Sequence, residues 1–160
     1  MFKKVRLLLT QTVLLSLLLV LIMTIDSGLT RGERAAQHAL DHLGKPYELN
    51  ASGPEKFDCS GLVRYCYHLE GEELPHSAEA IGTSEAHLFI PAQWMLLPGD
   101  VLSFDTVSDN DPSDHVGIYL GGNQFVHASS AKHEVIISTL EDYYLERYTG
   151  ARRIALSILR

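Results

Sequence analysis

The chain has 160 residues, of which 46% are hydrophobic and 21% are charged. This composition is typical of one globular domain and excludes collagenous, coiled-coil and disulfide-scaffold proteins. The formal net charge is −7. Because an acidic protein repels phosphate groups, we do not expect nucleic acid as a partner.

The first 30 residues differ from the rest of the chain. Basic residues at positions 3, 4 and 6 precede an uncharged apolar run over 7–25, the pattern of a secretory signal peptide or an uncleaved signal anchor. The run is just long enough to span a bilayer. We therefore predict a signal peptide or signal anchor over 1–30 and an exported domain over 31–160. That domain carries ten Lys and Arg against nineteen Asp and Glu, a formal charge of −9.

The first half of the exported domain has helical periodicity. Apolar residues at helical spacing predict a helix over 32–43, and turn-forming residues predict a loop over 48–57. A second helix is expected to carry Cys59 in its first turn and to end at Gly71. A shorter helix is expected over 77–84, with a serine as its N-terminal cap.

The second half alternates apolar and polar residues, which predicts strands. A turn of two glycines and an asparagine at 121–123 joins two of them into a hairpin. Helices followed by an antiparallel sheet predict an α+β fold. The expected strands are 101–105, 115–122, 124–129, 134–138 and 150–159, with a short helix over 139–148.

The two cysteines are predicted to be free thiols. On the second helix Cys59 and Cys66 would lie about 10 Å apart along the axis, whereas a disulfide needs Cα atoms within about 7 Å. Cys59 faces the positive end of the helix dipole, which favours the thiolate and suits a nucleophile. A core thiol is the alternative for Cys59 and the preferred interpretation of Cys66.

A nucleophilic thiol needs a base, and two histidines lie at the open end of the predicted hairpin. His115 begins one strand and His127 ends the next. His115 could deprotonate Cys59 while His127 orients the His115 ring. The same three residues could form an open zinc site, although ligand pairs such as CxxC or HExxH are missing from the sequence. Nucleotide-binding loops are also missing, so neither a metal nor an organic cofactor is predicted. The remaining histidines other than His76 are interpreted as surface or core residues: His38, His42, His68, His87 and His133.

Several motifs in order resemble those of the NlpC-type papain-like cysteine peptidases of bacterial cell-wall metabolism. They are LGKPY at 43–47, FDCSGLVRYCY at 57–67, LPGD at 97–100, HVGIYLGG at 115–122, FVHAS at 125–129 and GARR at 150–153. The resemblance implies a nucleophile helix packed on an antiparallel sheet. It also implies hydrolysis of peptidoglycan stem peptides, at the bond between γ-D-glutamate and diaminopimelate or lysine, or at the cross-link.

The resemblance also assigns roles to residues. It implies Cys59 as nucleophile, His115 as base and His127 as the third polar residue. Tyr47 would help to hold the oxyanion. The amino end of the stem peptide would meet the residues that flank the nucleophile, Asp58 and Ser60.

Two departures leave substrate preference open. Residues 48–53 replace a Trp-Gly-Gly stretch, and His76 stands where LPR is common. The alternatives are an acyltransferase or amidase with the same triad, an interbacterial toxin, and a non-catalytic wall-binding domain. The expected location is the periplasm, the outer face of the membrane or the medium. An uncleaved N-terminal segment would contact the membrane, and a regulatory protein partner is compatible with this location.

Overall fold

The computed structural model describes residues 29–107 and 113–154. The predicted signal segment therefore lies outside the described residues, except for its last two positions, as does the end of the predicted closing strand. Within the described ranges, none of the helices has the length and apolar character needed to cross a membrane.

Three capped helices come first. Helix α1 (Arg31–Leu40) begins with a capping box between Thr30 and Glu33. Helix α2 (Cys59–His68) is capped by Asp58, and helix α3 (Ala78–Gly82) is capped by Ser77. The three predicted helices are thus confirmed. Each ends before its predicted boundary, because the residues that follow form turns rather than further helix.

The sheet is antiparallel and has six described strands. Four predicted strands are confirmed: β2 (Val101–Phe104), β3 (His115–Gly121), β4 (Gln124–Ser129) and β5 (Glu134–Thr139). At one side of the sheet lie β1 (Leu88–Ile90), which was not predicted, and β6 (Tyr148–Arg153), which contains the first residues of the predicted closing strand. Their order across the sheet is β1-β6-β2-β3-β4-β5.

The predicted bounds of the elements around β6 are partly wrong. The helix predicted over 139–148 is shorter, α4 (Asp142–Arg147), and the closing strand begins at Tyr148. The reason is pairing, since β6 runs between β1 and β2 and Tyr148 lies opposite Phe104. Strand β1 and the 3-10 helix Gln93–Met95 had not been predicted.

Both faces of the sheet are covered. Helices α1 and α2 pack on one face, where Leu62 and Val63 meet Val116 and Ile118. The other face holds an aromatic cluster that includes Phe104, Phe125 and Tyr144. Double coverage explains why β2 is buried along its whole length.

Candidate active site

The start of α2 is fixed by the carboxylate of Asp58. It accepts hydrogen bonds from the Gly61 N–H (2.6 Å), the Asn50 N–H (2.8 Å) and the Ser60 hydroxyl (3.1 Å). At Gly61 a side chain would collide with the backbone at Ala51. The loop over 48–57 therefore lies directly against the first turn of α2, and Cys59 lines a pocket.

The two predicted histidines meet as expected from the hairpin. Strands β3 and β4 pair with Ile118 opposite Val126. Nε2 of His115 lies 2.8 Å from Nδ1 of His127, and the ring planes are perpendicular. His115 is part-buried and His127 is fully buried.

The histidine pair continues into two residues that the sequence did not identify. Nε2 of His127 lies 2.9 Å from Oγ of Ser138 and 3.3 Å from the hydroxyl of Tyr144. Ser138 belongs to β5 and Tyr144 to α4. The only sequence signal was a serine at an alternate position of a predicted strand.

Cys59 lies at the same end of β3 as His115. Its Sγ is 4.0 Å from the backbone oxygen of Asp114. The Asp114 carboxylate accepts hydrogen bonds from the N–H groups of Thr106 and Val107 and from the Thr106 hydroxyl. This loop contact fixes the chain just before His115.

Burial sets the protonation state of the site. It raises the pKa of the Cys59 thiol to about 11; the charge of Asp58 adds to this, and N–H groups, that of Val116 foremost, oppose it. Burial lowers the pKa of His115 to about 4 against the charge of Asp114. Burial first, and then the neighbouring His115, lowers the pKa of His127 to about 3. At neutral pH the thiol is protonated and both imidazoles are neutral. The N–H groups at the start of α2 lower the pKa of the thiol, as expected at a helix N-terminus, but burial raises it more.

A neutral histidine pair can act as a directed proton acceptor. If His115 accepts a proton on Nδ1, its Nε2–H donates to Nδ1 of His127. His127 then carries its proton on Nε2 and donates to the Ser138 hydroxyl. One hydrogen-bond direction along this chain therefore leaves Nδ1 of His115 ready to accept a proton.

The other predicted site residues line one pocket with Cys59. The pocket has a volume of about 280 Å³, and Tyr47, Asp58 and Ser60 belong to its wall. Burial raises the pKa of Tyr47, and the nearby Cys59 and Asp58 add to this. The wall also holds His76, whose Nε2 lies 2.9 Å from both carboxylate oxygens of Asp58.

The sequence allowed an open zinc site formed by Cys59, His115 and His127. Over 29–107 and 113–154, no group of three or more His, Cys, Asp or Glu side chains has the arrangement that holds a metal ion. Both cysteines are free, as predicted; Cys66 is buried in the core and Cys59 is half-buried.

A helix that begins with a cysteine packs on an antiparallel sheet that carries a histidine pair, so the domain is of the α+β class. The model of the NlpC/P60 family matches residues 44–153. The chain belongs to the NlpC/P60 family, as its motifs indicated.

Known proteins support this membership. The chain is 39% identical over 122 residues to the gamma-DL-glutamyl hydrolase of Bacillus subtilis strain 168, and the matched region covers 73% of this chain and 28% of that protein. It is 36% identical over 126 residues to the murein DD-endopeptidase MepH of Escherichia coli K12, which covers 75% of this chain and 45% of that protein. Among solved structures, NlpC1 from Trichomonas vaginalis matches with a TM-score of 0.71 and 32% identity, over 80% of this chain and 45% of that one. The chain thus spans less than half the length of these relatives.

Proposed function

We propose that the domain is an exported cysteine peptidase that hydrolyses an amide bond in peptidoglycan stem peptides. The observation that carries this proposal is the hydrogen-bonded pair of His115 and His127. Asp114, the residue that precedes His115, contacts the pocket residue Cys59. The relatives named as a gamma-DL-glutamyl hydrolase and a murein endopeptidase support the reaction class.

The proposed reaction begins from a neutral thiol and a neutral imidazole. His115 takes the proton of Cys59 as the sulfur attacks the substrate carbonyl carbon and forms a C–S bond. His115 then protonates the amine as the C–N bond breaks. In the second half, His115 deprotonates water, which attacks the thioester and releases a carboxylic acid product and the free thiol. His127 orients His115 throughout.

Oxyanion stabilisation falls to the start of α2 and to Tyr47. The backbone N–H of Cys59 stands at the helix N-terminus, where N–H groups have no intrahelical partner. Tyr47 lines the same pocket, and the raised pKa of its hydroxyl keeps that group protonated as a donor. No metal or organic cofactor takes part in these steps.

The pocket favours a substrate with a cationic group. Three acidic residues, Asp58, Glu79 and Asp114, line its wall, and this negative charge attracts a free amino group. Asp58 and Ser60 are the proposed contacts for the amino end of a stem peptide. One relative is named for a gamma-DL-glutamyl bond and the other for a bond in murein. We therefore propose that the domain cleaves either the γ-D-glutamyl-diaminopimelate bond or the peptide cross-link.

The proposed place of action is outside the cytoplasmic membrane. The support is the basic start and apolar run of the first 30 residues, together with relatives named for action on murein. Residues 1–30 would serve as the signal peptide or anchor, and residues 31–160 as the peptidase domain.

Mass spectrometry of defined muropeptides tests the reaction with the full chain under reducing conditions. The wild type is expected to produce a new amine and a new carboxylate. Cys59→Ala should abolish this product, and His115→Ala should slow its formation by about 10²-fold to 10⁴-fold. Cys66→Ala is the matched control, because it removes the buried thiol of the same helix and should leave turnover in place.

The same experiment separates the alternatives. Near-normal turnover by Cys59→Ala would refute the mechanism. Transfer of the acyl group to an added amine, without hydrolysis, would indicate an acyltransferase. Binding of muropeptides without product would indicate a wall-binding domain.

A further inference from the structure

An exposed apolar segment lies away from the active site. Trp94, Met95 and Leu97 are 86%, 38% and 54% exposed, and we name these three residues the apolar rim. Trp94 is the only tryptophan of the chain. Single exposed apolar residues are ordinary, whereas three within four positions indicate a surface that contacts a protein or a membrane.

The apolar rim is held rigidly. Leu96 points inward and packs in the aromatic cluster of the sheet. The guanidinium of Arg153 donates to the Met95 oxygen (2.9 Å) and to both carboxylate oxygens of Asp100 (2.7 and 2.8 Å). Asp100 in turn accepts from the Leu97 N–H (2.8 Å). The exposed side chains are therefore presented by a fixed backbone.

The rim adjoins the place where the chain enters the domain. Gly32, in the first turn of α1, packs so closely on Gly99 that a side chain at Gly99 would collide with its backbone. Leu29, three residues earlier, is 53% exposed. The chain that precedes it contains the uncharged apolar run over 7–25. The described chain therefore begins near the rim.

The residue two positions after the rim, Gly99, is separated from the active site along both α2 and β3. The Tyr67 hydroxyl donates to the Gly99 oxygen, and Tyr67 is eight residues after Cys59 on α2, about 12 Å along the helix. The Gly99 N–H donates to the Tyr119 oxygen (2.8 Å). Tyr119 is four residues after His115 on β3, about 13 Å along the strand. The distances along the helix and along the strand thus give a similar separation between Gly99 and the active-site residues.

We propose that the apolar rim rests on the lipid bilayer beside the N-terminal anchor and turns the active-site pocket away from the membrane. Tryptophan and neighbouring apolar side chains suit the boundary between headgroups and acyl chains. The rim itself is uncharged and the domain is acidic, so binding should not require anionic lipid. The inference rests on the proposed anchor, not on the proposed chemistry.

Trp94 allows a direct test, because its fluorescence is the only tryptophan signal in the chain. The full chain is reconstituted into zwitterionic phosphatidylcholine vesicles, and co-flotation measures the anchor separately. We expect the Trp94 emission to shift to shorter wavelength and to be largely quenched by lipids brominated near the headgroup end of the acyl chain. Adding anionic lipid should change neither result.

A control moves the tryptophan to the pocket. In a Trp94→Phe background, Leu49→Trp places the fluorophore on the pocket wall, where Leu49 is 71% exposed. The brominated lipids should not quench the emission of this tryptophan. Equal quenching at both positions would refute the orientation.

Other outcomes overturn the proposal. Co-flotation with an unshifted, unquenched Trp94 would show that the rim faces water. A shift without quenching by lipid would show that protein covers the rim, either the N-terminal segment, a second copy or a partner. A chain that does not float with vesicles would overturn both the anchor and the rim contact, and would leave the muropeptide assay unaffected.

Discussion

The buried histidine pair should make the domain sensitive to mild acid. Both imidazoles stay neutral in the folded state, with a pKa of about 4 for His115 and about 3 for His127, against 6.5 as the ordinary value. Between these values the unfolded chain binds protons that the folded chain does not. Stability is therefore fully present above about pH 7 and falls as the pH drops through 6.5 towards 4.

The size of this effect follows from the same values. At about pH 5 an unfolded histidine gains about 2 kcal/mol from protonation that its buried neutral counterpart does not gain. The pair should therefore cost about 4 kcal/mol between about pH 7 and pH 5, a large part of a typical folding free energy. His127→Gln removes one titrating ring and keeps a polar group, so it should halve this loss.

Urea denaturation at several pH values measures the effect, with the free energy of unfolding compared between the wild type and His127→Gln. The control is His133→Asn, which removes an exposed imidazole at a positive φ that Asn tolerates. Control and wild type should have the same pH dependence. A wild-type slope that His127→Gln leaves unchanged would refute the assignment of the acid effect to this pair.

Three further predictions concern the thiol, the histidine chain and the packing near the chain's start. Because the pKa of Cys59 is raised to about 11, its alkylation rate should rise about tenfold per pH unit from neutral pH upward; a plateau near neutral pH would contradict this. Ser138→Ala removes the hydroxyl that lies 2.9 Å from Nε2 of His127, so it should lower kcat about tenfold with an unchanged KM. Ser138→Thr should restore kcat, and a change confined to KM would contradict a positioning role for Ser138. Gly99→Ala should lower the free energy of unfolding in urea by more than about 1 kcal/mol, because a steric collision adds to the cost of placing a side chain at positive φ. The control Gly71→Ala is also at positive φ but has open space around it, so it should show the backbone cost alone. Equal destabilisation by the two variants would contradict the close packing at Gly99.

Local signals carried most of the successful sequence prediction. The helical spacing after Cys59 predicted α2, and the turn over 121–123 predicted the hairpin that joins His115 to His127. Both signals act over a few residues, where capping and turn geometry determine the backbone.

The missed features depend on contacts distant in sequence. Strand β1 has only three residues, too few for a periodic pattern, and exists because it pairs with β6 some sixty residues later. Ser138 and Tyr144 meet His127 because of the β4–β5 register and the packing of α4. The raised pKa of the thiol depends on burial by the whole fold.

Asp58 caps the helix that carries the thiol, and we propose that it also contacts substrate. Its carboxylate accepts the N–H groups of Asn50 and Gly61, the Ser60 hydroxyl and Nε2 of His76. The first three bonds are part of the start of α2, so they cannot be released without disturbing the helix that carries the thiol. The bond from His76 is different, because that side chain is 25% exposed on the pocket wall. A cationic substrate group that approaches this carboxylate must therefore compete with His76, which places one of the chain's departures from the family pattern at the point where substrates would be selected.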